Sequence, residues 1–111
     1  MKRARKENQC RKCPLGKDVL EVLLAIDLLR EAERIVDSIR ELRLTLRREN
    51  KIHLPLVRVR DESTLASRSV RFLVCGTEVA GISVGNLDVP AMVVACLRCI
   101  ALKRFPEKAP A

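Results

Sequence analysis

The chain has 111 residues, with 22 Lys or Arg against 14 Asp or Glu, and its net charge is +8. This length predicts a single domain, and a composition of 48% apolar and 32% charged residues excludes both a disordered chain and a membrane-embedded one. The sequence has two Phe and no Tyr or Trp, which argues against binding that depends on stacked bases or aromatic cages.

Residues 1–17 form a basic arm with a net charge of +6, because seven Lys or Arg stand against one Glu. The arm contains the first of two Cys-x-x-Cys motifs, Cys10 to Cys13, which predicts a metal-binding knuckle. It lacks the apolar stretch of a signal peptide, so we predict a cytoplasmic protein. The folded domain is predicted over residues 18–105, and residues 106–111 form a C-terminal tail.

A long helix is predicted over residues 18–49, because apolar residues recur there at alternating spacings of three and four. This heptad seam consists of Ala25, Leu28, Ala32, Ile35, Ile39, Leu42 and Leu46, and it is widened by Val22, Leu29 and Val36. Such a helix would be roughly 45–50 Å long, which is more than a domain of this size can cover. Either it breaks in the middle, or Ile39, Leu42 and Leu46 contact another chain in a homodimer or a larger assembly.

Three strands and a second helix are predicted to follow. Residues 52–60 alternate apolar and basic side chains and contain Pro55, which is typical of an edge strand. Residues 69–75 and 78–84 are predicted strands, and a buried helix follows over about residues 89–104. The predicted fold class is α+β, in the order α-β-β-β-α, with a long N-terminal helix, a three-stranded antiparallel sheet and a buried C-terminal helix.

The cysteines form the most specific pattern. Cys10 and Cys13 have a counterpart in Cys96 and Cys99, and two such pairs supply the four soft ligands of a tetrahedral zinc ion. We therefore predict a structural zinc that ties the arm to the last helix. Because 82 residues separate Cys13 from Cys96, far more than in a zinc ribbon, disulfides, plain thiols and a thioredoxin-like redox pair stand as alternatives.

Basic residues give the second signal. Arg58 and Arg60 alternate with valines on one predicted strand and Arg71 alternates with apolar residues on the next, so one face of the sheet should present all three. Such a surface neutralises phosphates. The candidate nucleic-acid-binding residues are Lys2, Arg3, Arg5, Lys6, Arg11, Lys12, Arg58, Arg60, Arg68 and Arg71. The alternative is the solvated surface of a hyperthermophilic protein, since Gln occurs only once.

Together these features predict a small, basic, zinc-stapled module of archaeal type that binds structured RNA in a ribonucleoprotein assembly, for example as a ribosomal protein. A DNA-binding or chromatin protein is the nearest variant. A protein–protein module that dimerises or docks through its heptad helix is a second class, and a thiol redox protein is a third. No nucleophile–base pair or phosphate loop can be recognised, so we predict that the protein is not an enzyme.

Overall fold

The computed structural model describes residues 20–105. Its strands are β1 (Leu20–Leu24), β2 (Val57–Asp61), β3 (Ser69–Val74) and β4 (Thr77–Ser83), and its α-helices are α1 (Ala32–Thr45) and α2 (Val89–Arg104). A 3-10 turn, Ile26–Glu31, leads directly into α1, and a π-helical turn, Leu46–Asn50, extends it. Among these elements, none has both the length and the apolar character that crossing a bilayer requires.

The four strands form one mixed sheet in the spatial order β2-β1-β3-β4. β1 runs parallel to β2 and antiparallel to β3, while β3 and β4 form an antiparallel hairpin. The predicted α+β class is confirmed. The predicted three-stranded antiparallel sheet is wrong, because a further strand, β1, lies inside the sheet and makes one of its pairings parallel.

β1 lies where the heptad pattern predicts the start of the long helix. Its sequence, Leu-Glu-Val-Leu-Leu, is a short apolar run that suits a buried strand as well as a buried helix. The sheet decides between the two, because β1 pairs on both sides and places Val22 opposite Val59 and Phe72. The helical segment consequently begins at Ile26 instead of residue 18. It then serves as the crossover that a parallel strand pair needs.

The core lies on one face of the sheet, where α1 and α2 pack against each other and against the strands. Leu20, Val22 and Leu24 of β1 are fully buried there, together with Phe72 of β3. Burying one side chain of this size stabilises the fold by roughly 1.5–3 kcal/mol. The bounds predicted for the second helix match those of α2, whose residue Leu97 is also fully buried.

The heptad seam of the long helix packs inside this core. Ile39, Leu42 and Leu46 are 5%, 3% and 0% exposed, so their side chains are already covered by the chain itself. The later start of the helix shortens it by about two turns relative to the prediction. The structure therefore places these three residues in the intramolecular core, and not on the intersubunit surface that the longer helix would require.

Candidate docking groove along the long helix

A groove runs along the side of the long helix that borders β2 and residues 52–54. Two hollows form this α1 groove, and Arg40 lines both of them. The hollow nearer the start of the helix combines apolar, basic and acidic side chains, and we call it the mixed hollow. It is lined by Leu29, Arg30, Ala32, Glu33, Val36, Asp37, Arg40 and Val59. The basic hollow, nearer its end, encloses about 380 Å³ and is lined by Arg40, Arg43, Leu44, Arg47, Ile52, His53 and Leu54.

The end of the helix shapes the basic hollow. After the π-helical turn, Lys51 adopts a left-handed conformation with a φ of 56°, and the Ile52 N–H donates to the Leu46 carbonyl oxygen at 3.1 Å. These two features end the helix and turn the chain. Ile52 and Leu54 then pack into the core while His53, between them, stays exposed. The segment after the helix thus supplies an apolar floor.

Three large apolar side chains of the helix lie uncovered in the α1 groove. Leu29 is 42% exposed, Val36 38% and Leu44 58%, whereas the seam residue Ile39 is 5% exposed. Spacings of seven and eight residues keep the three on one side of the helix. The apolar stripe of the helix is therefore wider than the core requires. The sequence signal for this surface is the widening of the heptad seam by Leu29 and Val36.

The basic hollow has a positive wall. Arg40, Arg43 and Arg47 follow one another at spacings of three and four along the helix, and no carboxylate lines this hollow. Arg40 donates to the Asp37 carboxylate at 3.1 Å, and Asp37 lines the mixed hollow. Neither Arg43 nor Arg47 forms an ion pair within residues 20–105. The two hollows therefore differ in charge, since carboxylates line only the mixed one.

The open face of the sheet carries the predicted arginine surface. The strand register places Arg58 and Arg60 of β2 and Arg71 of β3 on this face, as their alternation with apolar residues predicts. Carboxylates lie on it as well, because Arg60 pairs with Glu21 at 3.5 Å and Arg71 with Glu78 at 2.9 Å. These ion pairs offset the positive charge that a phosphate-binding surface needs.

Arg68, which the sequence assigns to the same surface, binds groups of its own chain. Its Nε–H donates to the Gly85 carbonyl oxygen at 2.8 Å, and its backbone N–H donates to the Asp27 carboxylate at 3.2 Å. The pKa of Asp27 is lowered mainly by this backbone bond, with a further contribution from the Ser67 hydroxyl. Arg68 thus ties the loop before β3 to the start of the helix and to the loop before α2.

The predicted zinc ligands lie partly inside the described residues. On α2, Cys96 is half-buried and Cys99 is exposed, and neither is disulfide-bonded. The pKa of Cys96 is raised, first by burial and then by the nearby Cys99 thiol. Between residues 20 and 105, no group of three His, Cys, Asp or Glu side chains could hold a metal. Cys10 and Cys13 lie outside the described residues, as do Lys2, Arg3, Arg5, Lys6, Arg11 and Lys12, so the zinc site stays a prediction.

Comparison with known proteins identifies structural neighbours only. No protein-family model and no curated protein matches the chain. The C-terminal domain of InvA is similar over 59% of this chain and 20% of its own, with a TM-score of 0.50 and 23% identity. A chain of the Chlamydia pneumoniae CdsV and CdsO protein complex is similar over 60% of this chain and 23% of its own, with a TM-score of 0.55 and 17% identity. The chain thus spans less than a quarter of either neighbour's length.

These neighbours correct the predicted function. They are a domain of InvA and a chain of a complex of two proteins, and not RNA-binding modules of a ribonucleoprotein. The prediction of an RNA-binding ribosomal protein with structured RNA as its partner is therefore wrong. The ion pairs on the sheet agree with this correction, since they occupy two of the arginines on which the prediction depended. The alternative prediction of a DNA-binding or chromatin protein depended on the same arginines, so these ion pairs remove its support as well.

Proposed function

We propose that the chain is a protein-interaction module, and that an amphipathic helix of a protein partner docks in the α1 groove. The observation that carries this proposal is the exposure of Leu29, Val36 and Leu44 along one side of a helix whose other apolar side is fully used by the core. These side chains stand about two helical turns apart and line the hollows of the α1 groove, so they offer a partner a row of apolar anchors. Helical spacing of the anchors is the arrangement that a second helix can follow.

The dimensions of the α1 groove suit a helix of the partner. From Leu29 to Arg47 the groove follows 19 residues of helical chain, a span of roughly 27 Å, which corresponds to about five turns of an α-helix. Side chains of the partner at positions i, i+7 and i+14 or i+15 would meet the three exposed anchors in turn. A contact of this kind needs no change in the core, because the seam residues face the sheet.

We propose binding and not catalysis for this site. The two hollows are lined by Arg, Leu, Val, Ala and Ile side chains, with His53, Glu33 and Asp37 as the other titratable groups. Neither lining includes a Ser, Thr or Cys that could act as a nucleophile. A structural neighbour that occurs in a complex of two proteins supports a protein as the partner.

The test compares two triple variants of the full chain. The groove variant carries Leu29→Ser, Val36→Ser and Leu44→Ser, and the control variant carries Leu56→Ser, Leu87→Ser and Leu102→Ser, which are exposed apolar residues outside the groove. Tagged proteins expressed in the source cells are purified, and their bound proteins are quantified by mass spectrometry. We expect one protein to be retained by the wild type and the control variant and lost from the groove variant. Equal retention by all three chains would contradict docking in the groove.

A further inference from the structure

We infer that the helix docking in the α1 groove is acidic at the end that covers the basic hollow, where its carboxylates bind Arg43 and Arg47. This inference rests on the proposed function and names the chemistry of the partner. It starts from a property of the basic hollow that the core does not explain. Two arginines without an ion pair within residues 20–105 stand over an apolar floor and beside the exposed side chain of Leu44.

Desolvation is the physical reason for an acidic partner. Any segment that covers Leu44 also removes water from the neighbouring Arg43 and Arg47 guanidinium groups. A cation that loses its water without gaining a counter-charge is costly, so an uncharged or basic segment would bind poorly there. A carboxylate compensates this loss with two parallel hydrogen bonds from one guanidinium.

The spacing of the arginines sets the pattern expected in the partner. Arg40, Arg43 and Arg47 lie within eight residues of helix, and roughly 10 Å separates the first from the last. Asp or Glu residues at i and i+4 of a partner helix can face Arg43 and Arg47 together. Arg40 is already paired with Asp37, so the contacts to Arg43 and Arg47 determine the recognition. Two carboxylates and two arginines line the mixed hollow, so the other end of the partner helix should carry no net charge over it.

Charge also argues against other occupants of the groove. The arm of residues 1–17 has a net charge of +6, and the positive wall of the basic hollow repels it. A nucleic-acid strand that followed the groove would bring its phosphates against Glu33 and Asp37 in the mixed hollow. No Phe, Tyr or Trp side chain lines either hollow to stack a base. An amphipathic helix that is acidic over the basic hollow and uncharged over the mixed hollow satisfies both.

Photo-crosslinking in the source cells tests the inference directly. The photoreactive residue p-benzoylphenylalanine replaces Leu44 in the full chain, or Leu102 on α2 as the control position, since both side chains are exposed. After irradiation, the attached peptide is identified by mass spectrometry. We expect an adduct at position 44 and none at position 102. The attached protein segment should carry Asp or Glu within one helical turn of the attachment site.

A charge reversal gives the quantitative arm. Arg43→Glu with Arg47→Glu should lower the adduct yield at position 44 roughly five- to tenfold, since two charge pairs become repulsive. Lys103→Glu with Arg104→Glu makes the same change in net charge at the end of α2 and should leave the yield unchanged. Both of these residues are exposed, so the control pair leaves the core intact.

The outcomes separate the two proposals. If no light-dependent adduct forms at position 44, and none forms at position 36 when it is treated in the same way, the docking function itself is overturned. An adduct with a segment that lacks acidic residues, or a yield that is insensitive to the charge reversal, would overturn the acidic partner and leave the docking surface standing. An adduct with RNA would overturn both.

Discussion

Leu44 and Leu46 lie two residues apart on the same helical segment, with Leu46 in the core and Leu44 on the proposed docking surface. Leu46 is 0% exposed and Leu44 is 58% exposed. Removing a buried leucine side chain to Ala costs about 2–5 kcal/mol, because apolar contact is lost and a cavity remains. The same change at an exposed site alters stability by about 0.5 kcal/mol or less. We therefore expect Leu46→Ala to destabilise the fold strongly and Leu44→Ala to leave it nearly unchanged.

Urea unfolding followed by far-ultraviolet circular dichroism measures this difference. With a loss of about 3 kcal/mol and a urea dependence of about 1.5 kcal/mol per molar, the unfolding midpoint of Leu46→Ala should fall by about 2 M. The midpoint of Leu44→Ala should stay within roughly 0.3 M of the wild type. Because Leu46 packs on its own chain, the midpoint should not depend on protein concentration.

One result would refute the intramolecular placement of the seam. If the wild-type midpoint rises with protein concentration, and Leu46→Ala abolishes that dependence, then Leu46 stabilises an intersubunit contact. The seam would then serve the homodimer that the sequence predicts. A full loss of stability in Leu44→Ala would also contradict the structure, because an exposed side chain cannot contribute that much.

Three further predictions concern other parts of the molecule. The lowered pKa of Asp27 stabilises the fold at pH values above its unfolded pKa of about 4, and this stabilisation is lost as the pH falls through its folded pKa. The Tm of Asp27→Asn should therefore depend less on pH below about 4 than the Tm of the wild type. Gly85→Ala should cost about 1–2 kcal/mol in urea unfolding and Gly85→Asn less, because φ is 55° and an added Cβ meets nothing within 4 Å, so the cost is backbone strain alone. Elemental analysis of the reduced protein should find about one zinc per chain, and Cys99→Ser should release it. Protein without metal would contradict the zinc site, and so would a disulfide at Cys96 or Cys99 found by mass spectrometry.

Local sequence pattern was sufficient to locate β3 and α2. The alternation in β3 places Val70 and Phe72 in the core and Arg71 on the open face, and the structure agrees. The bounds of α2 follow from Pro90 near its start and from the apolar sequence behind it. In β3 the alternation alone decides which side chains are buried, whereas in α2 apolar residues occur on nearly every side and packing selects the buried face.

The candidate site was predictable only in part. The widening of the heptad seam at Leu29 and Val36 is visible in the sequence, but a wide stripe can equally mean a deeper core. In the sequence, the arginines of the basic hollow resemble those of an ordinary solvated helix face. Only the fold places residues 52–54 beside them. The ion pairs that offset the charge of Arg60 and Arg71 join residues from different strands. Composition alone therefore overstated the positive charge on the open face of the sheet.

The sequence by itself determined the mixed class of the fold, the hairpin of β3 and β4, the second helix and the apolar seam that forms the core side of the long helix. Only the tertiary structure decided that residues 20–24 are a strand, because a short apolar run has no conformational preference of its own until neighbouring strands hydrogen-bond to both of its edges. That pairing shortens the helix so that its seam fits within the core of one chain, while Leu29, Val36 and Leu44 stay exposed. Contacts between residues distant in sequence therefore determine which apolar side of the helix is core and which is surface.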